Sequence, residues 1–188
     1  SHRGAGVEAG ILRVAEGIAR ILPQTPPDVM LLLENDVGAK NSLGHSFEQL
    51  AAILNLLPQY NKRSGVCLDT AHLWGAGYDI AQEQSTLLML QSFEETIGLE
   101  RLKVIHLNDT KMALGSHRDV HARLGEGIIG TEGLSTLLSD YRLNHVTVLL
   151  ETPIKTDEHD KEDWVDDAGQ ITKARNLIRA QPELDPLP

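Results

Sequence analysis

The chain has 188 residues, enough for one domain with a sizeable core. It is short of the roughly 250 residues of a complete (β/α)8 barrel. At 41% hydrophobic it reads as globular, and it contains no apolar run long enough to cross a bilayer. The formal net charge of −10 argues against binding phosphate chains through a basic surface alone, although bound metal ions would reverse the local sign. Cys67 is the only cysteine, which excludes an intrachain disulfide and points to a reducing compartment, the cytoplasm.

Val7, Ile11, Val14, Ile18 and Ile21 recur at helical spacing and stop at Pro23, which predicts a first helix. Met30 to Leu33 is a short continuous apolar run, the pattern of a buried strand. Ser46 and Gln49 form a capping-box pattern that opens a helix through Leu50, Ile53, Leu54 and Leu57, ended by Pro58. Val66-Cys67-Leu68 predicts a second strand, and Gln82 to Ile97 a helix closed by Gly98. Leu102 to Leu107 predicts a third strand, and Leu134, Leu137 and Leu138 mark a short helix. Val146 to Leu150 predicts a fourth strand and Trp164 to Ala180 a last helix, after an acidic loop from Thr156 to Asp163. Strands alternating with helices imply an α/β fold with a parallel sheet joined by right-handed crossovers, in one unit over residues 1–188.

Each predicted strand is followed by a residue able to do chemistry: Glu34, Asp69, His106 and Glu151. They are 35, 37 and 45 residues apart, about one βα unit each, so a parallel sheet would gather them at the C-terminal ends of its strands. Asp69 and His72 can turn into one cavity as metal ligands. The alternative is an Asp69 that caps the next helix with His72 satisfied nearby. Asp119 and His121 share one face of an extended segment, in a Gly-rich loop (Gly115, Gly125, Gly127, Gly130) of the kind that carries function. Asn108 and Asp109 could bond to turn backbone. Four carboxylates and three imidazoles at one sheet end would repel without counter-charge, and this donor set without thiolates favours zinc or manganese.

Five stretches resemble, in order, the motifs of the endonuclease IV family of apurinic/apyrimidinic endonucleases. They are Leu33-Glu34-Asn35 with Gly38; Gly65 to His72 with Ala76-Gly77-Tyr78-Asp79; His106 to Lys111 with Gly115-Ser116; Asp119-Val120-His121 with Leu124 to Gly127 and Ile129-Gly130; and Leu150 to Pro153. The resemblance implies a TIM (β/α)8 barrel of the xylose isomerase-like type, present here as roughly its C-terminal half. It implies hydrolysis of the phosphodiester 5′ to abasic sites in double-stranded DNA by a zinc-dependent base excision repair enzyme, monomeric when complete. Up to three zinc ions belong to the complete fold. Glu34 would be the catalytic bridging carboxylate, Asp69, His106 and Glu151 would complete the second ion's shell, and His72, Asp119 and His121 would hold the third. Asn35, Asn108 and Lys111 are candidate supports or phosphate contacts, with turn or surface roles as the alternative.

Three departures stand out: Asp36-Val37-Gly38-Ala39-Lys40 in place of Thr-Ala-Gly-x-Gly, Ala71 where Cys is common, and Val120 where Arg is usual. Ser1-His2 resembles the end of a family His-Pro-Gly-Ser-His segment, which would put two further zinc-binding histidines upstream and make the chain a fragment. Such a chain is expected to bind two metals at best and to cleave poorly alone. The competing readings are a single-metal sugar isomerase or epimerase using Glu34, Asp69, His106 and Glu151, and a non-catalytic half barrel.

Overall fold

The computed structural model describes residues 4–154 and 164–178. His2, the acidic Thr156–Asp163 stretch and the expected end of the last helix at Ala180 lie outside them. Four strands, β1 (Leu31–Glu34), β2 (Ser64–Asp69), β3 (Leu102–His106) and β4 (Thr147–Leu149), form one parallel sheet in sequence order. The helices are α1 (Val7–Ile21), α2 (Phe47–Asn55), α3 (Thr70–Ala76), α4 (Glu83–Thr96), α5 (Thr131–Ser139) and α6 (Trp164–Leu177). Every strand and helix expected from the sequence is present, and α3 is an addition.

Local chemistry sets the helix ends. Ser46 accepts the Gln49 N–H, as a capping box requires. The Gln49 side chain reaches past it to the Gly44 N–H, so the box is only half closed. Gly98, at φ 96°, follows α4 in a conformation that residues with a Cβ avoid. Apolar spacing does not announce α3. Its N-cap is a side chain, Asp69 Oδ1 accepting from His72 N at 2.9 Å, and Gly77 at φ 105° closes it.

The sheet separates two environments. Val66, Leu68, Ile105 and Leu107 point toward the helices and are at most 1% exposed. There they meet Phe47, Leu54, Leu90, Phe93 and Leu134 in one core. Because side chains alternate along a strand, the other face carries Glu34, Cys67, Asp69, His106 and Leu149. β2, paired on both sides, is buried throughout, whereas the edge strand β4 is exposed at all three positions. No described helix is long and apolar enough to cross a membrane.

Candidate metal centre

Strand register sets the geometry. Asp69 lies beside His106 in the parallel pairing, and Glu34 lies beside Cys67, one step lower on the same face. His106 pairs with Leu149, and Glu151 follows two residues further on. The four residues expected at strand ends therefore converge. His106 Nδ1 is 3.1 Å from Glu34 Oε1, 3.2 Å from Glu151 Oε2 and 4.0 Å from Asp69 Oδ2. Together they offer ligand atoms close enough for one ion.

The start of α3 adds His72, and the loop after β3 adds Asp119 and His121. His72 Nε2 is 3.3 Å and His121 Nε2 3.4 Å from the same Asp119 oxygen. Asp69 stands between the groups, its Oδ2 3.4 Å from His121 Nε2, and Glu34 also approaches His72 Nδ1 at 3.6 Å. The structure thus brings all seven sequence-predicted residues into one contiguous cluster.

Two side-chain nitrogens test whether this cluster suits a metal. His72 Nδ1 contacts the Asn35 carbonyl at 3.0 Å, and His121 Nδ1 contacts that of Glu151 at 3.3 Å. Both rings are thereby oriented, with Nε2 aimed at the carboxylates. Those two Nε2 atoms are buried and make no hydrogen bond. A buried imidazole nitrogen without a hydrogen bond is costly, and coordination to a cation would satisfy it. The residues fit a divalent ion.

Electrostatics agree. Burial by itself lowers the His72 pKa, but Asp69, Asp119, the Asn35 carbonyl and Glu34 outweigh it and hold the ring above its ordinary 6.5. Cys67 also lies within ligand distance of Glu34 and His106. Its thiol is pushed up to about 12 by burial, then by the charges of Glu34 and Asp69, and so stays protonated at neutral pH.

Supporting residues complete the picture. Asn35 Oδ1 accepts the Asp69 N–H at 2.7 Å while its amide donates to the Asp69 carbonyl at 3.2 Å, locking the end of β1 to that of β2. Asn108 donates to Asp69 Oδ2 at 2.7 Å and accepts the Glu151 N–H at 3.2 Å. Asp69 is 0% exposed, and its two readings coincide, since it caps α3 with one oxygen and faces the cluster with the other. Arg123, 4% exposed, donates to the Pro153 carbonyl at 2.8 Å and ties the loop carrying His121 to the segment after β4. Sequence reasoning passed over Arg123, because an arginine in a Gly-rich loop carries no periodicity that marks it as buried.

A family model described as xylose isomerase-like TIM barrel matches residues 1–175. A probable endonuclease 4 from Chloroflexus aggregans is 40% identical over 180 residues, 95% of this chain and 60% of that protein. Another, from Halothermothrix orenii, is 44% identical over 153 residues, 81% of this chain and 55% of that protein. The crystal structure of endonuclease IV from Thermus thermophilus superposes with a TM-score of 0.73 at 35% identity, covering 89% of this chain and 57% of that one. The chain spans about 60% of the length of the curated relatives it matches.

Proposed function

We propose a function on the premise that this chain belongs to the xylose isomerase-like TIM barrel family. Residues 1–188 form the metal-bearing part of a DNA-repair endonuclease that hydrolyses the phosphodiester 5′ to abasic sites in double-stranded DNA during base excision repair, in the cytoplasm. That activity belongs to a protein of the relatives' full length, monomeric when complete.

The observation that carries the reading is the pair of adjoining donor groups meeting at Glu34 and Asp69. Asp69, His106 and Glu151 would hold one zinc ion with Glu34, and His72 and His121, which lie within reach of Asp69, would hold another with Asp119. When bound, zinc supplies Lewis-acid stabilisation of the charge that develops on the phosphate and the leaving oxygen. The protein's own part is orientation. Glu34 reaches toward both groups, Asn35 and Asn108 hold Asp69 in place, and backbone carbonyls set the His72 and His121 rings.

A single-metal isomerase would need only Glu34, Asp69, His106 and Glu151, which do form a group by themselves. The buried, unbonded Nε2 atoms of His72 and His121 favour the two-group reading.

The test is a nicking assay on a duplex with one abasic site, using zinc-loaded protein alone and joined to the remaining barrel portion of an endonuclease 4 relative. Weak activity alone, strong activity when completed, and a 3′-hydroxyl product are expected. Elemental analysis finding one manganese and no zinc, with no nicking by the completed protein, would remove the nuclease reading.

A further inference from the structure

Asp109 has no part in the ligand set, yet it is 0% exposed and accepts four backbone N–H groups. Oδ1 takes those of Thr110 at 2.8 Å and Ile129 at 3.1 Å, and Oδ2 those of Gly125 and Gly127, each at 3.0 Å. Its backbone pairs with Ala122 in an isolated antiparallel bridge, through bonds of 3.2 and 2.6 Å. The next residue, Thr110, donates its hydroxyl to the Val120 carbonyl at 2.6 Å. Val120 lies between Asp119 and His121, and Ala122 follows His121. His121 is therefore bracketed, and Asp119 flanked on one side, by bonds from two consecutive residues just beyond β3. A Cβ at Gly127 would run into Asp109 Oδ1, so the loop closes tightly on this carboxylate.

We propose that Asp109, with Thr110, is the positioning pair for the His72–Asp119–His121 metal site. The inference rests on the two-group reading above. The loop from Thr110 to Gly130 has no helix or strand of its own, and two extended ligands on such a loop would otherwise sample many geometries. The buried carboxylate replaces the missing ladder with charge-assisted bonds to the loop's amides. The other group takes Glu34, Asp69, His106 and Glu151 from strand ends and should not depend on it.

The experiment counts zinc and cobalt(II) bound to the chain by elemental analysis and titration calorimetry, with cobalt absorption reporting coordination geometry. Four variants are compared with wild type: Asp109→Asn, the near-isosteric Thr110→Val, His121→Ala, and Gly133→Ala as a control that overpacks α5 against Ile80 and Thr86, which are not ligands. Wild type should take up two ions, and His121→Ala one. Asp109→Asn and Thr110→Val should weaken one of the two by about 10–100-fold and leave the other unchanged. Gly133→Ala should keep both affinities despite a lower melting temperature. If Thr110→Val, and Asp109→Asn where it folds, bind both ions as wild type does, or if Gly133→Ala loses the same ion at equal destabilisation, the positioning role is wrong. A His121→Ala variant that takes up as much metal as wild type would instead overturn the two-group reading, and this inference with it.

Discussion

The Asn108 amide donates to Asp69 Oδ2 at 2.7 Å, from a residue just beyond β3 to the last residue of β2. Asp69 is fully buried, and this bond holds the oxygen that faces the imidazoles. Replacing Asn108 with Ala should leave that oxygen short of a partner and cost about 1–3 kcal/mol of stability in the metal-free chain. Metal affinity should fall about 10–100-fold, because the ligand loses its orienting bond. Urea unfolding and zinc titration measure the two effects, and a variant unchanged in both would show that Asn108 is a simple turn residue.

The raised pKa of His72 makes a prediction with a definite sign. A histidine whose folded-state pKa exceeds its unfolded value contributes stability that is full below the unfolded value and lost as pH rises through the folded one. The metal-free chain should therefore lose this contribution as pH climbs from about 6.5, when Asp69, Asp119 and Glu34 lose their protonated neighbour. Zinc needs the neutral ring, so its stabilising effect should grow over the same window. Thermal unfolding with chelator and with zinc, across about pH 6 to 8, reads both slopes. Parallel curves would contradict the coupling.

Gly133 lies on α5, where a Cβ would collide with the carbonyl oxygen of Ile80 and approach Thr86 of α4. Backbone cannot yield as a flexible side chain can. Gly133→Ala should cost about 1–3 kcal/mol or more through overpacking. A melting temperature within error of wild type would mean that α4 and α5 separate more easily than their packing suggests.

Lys111 and Arg118 are exposed on the loop that carries Asp119 and His121, beside an otherwise acidic cluster. If DNA is the substrate, each should neutralise a phosphate. Arg118→Ala should weaken binding of an abasic duplex regardless of its sequence and reduce the slope of log affinity against log salt by about 1. Fluorescence anisotropy over a salt series measures this, and an unchanged slope would place Arg118 away from the DNA.

Much of this was legible in the residues. Pro23 and Pro58 stop helices because proline lacks the N–H a helix needs, and Gly98 takes a backbone angle other residues avoid. Alternation of buried strands with amphipathic helices determined a parallel sheet, and roughly equal spacing put Glu34, Asp69, His106 and Glu151 at its strand ends. Tertiary structure decided how these residues meet. Strand register, which no local pattern encodes, set Asp69 beside His106 and lowered Glu34 by one step. No apolar stripe announces α3, and only the reading of Asp69 as a helix cap pointed to it. Asp109 was expected to bond turn backbone and does, but its reach to Gly125, Gly127 and Ile129, like the burial of Arg123, depends on groups distant in sequence. Residue types determine which atoms can bind a cation, but the approach of His72, Asp119 and His121 depends on contacts between segments that sequence proximity does not constrain.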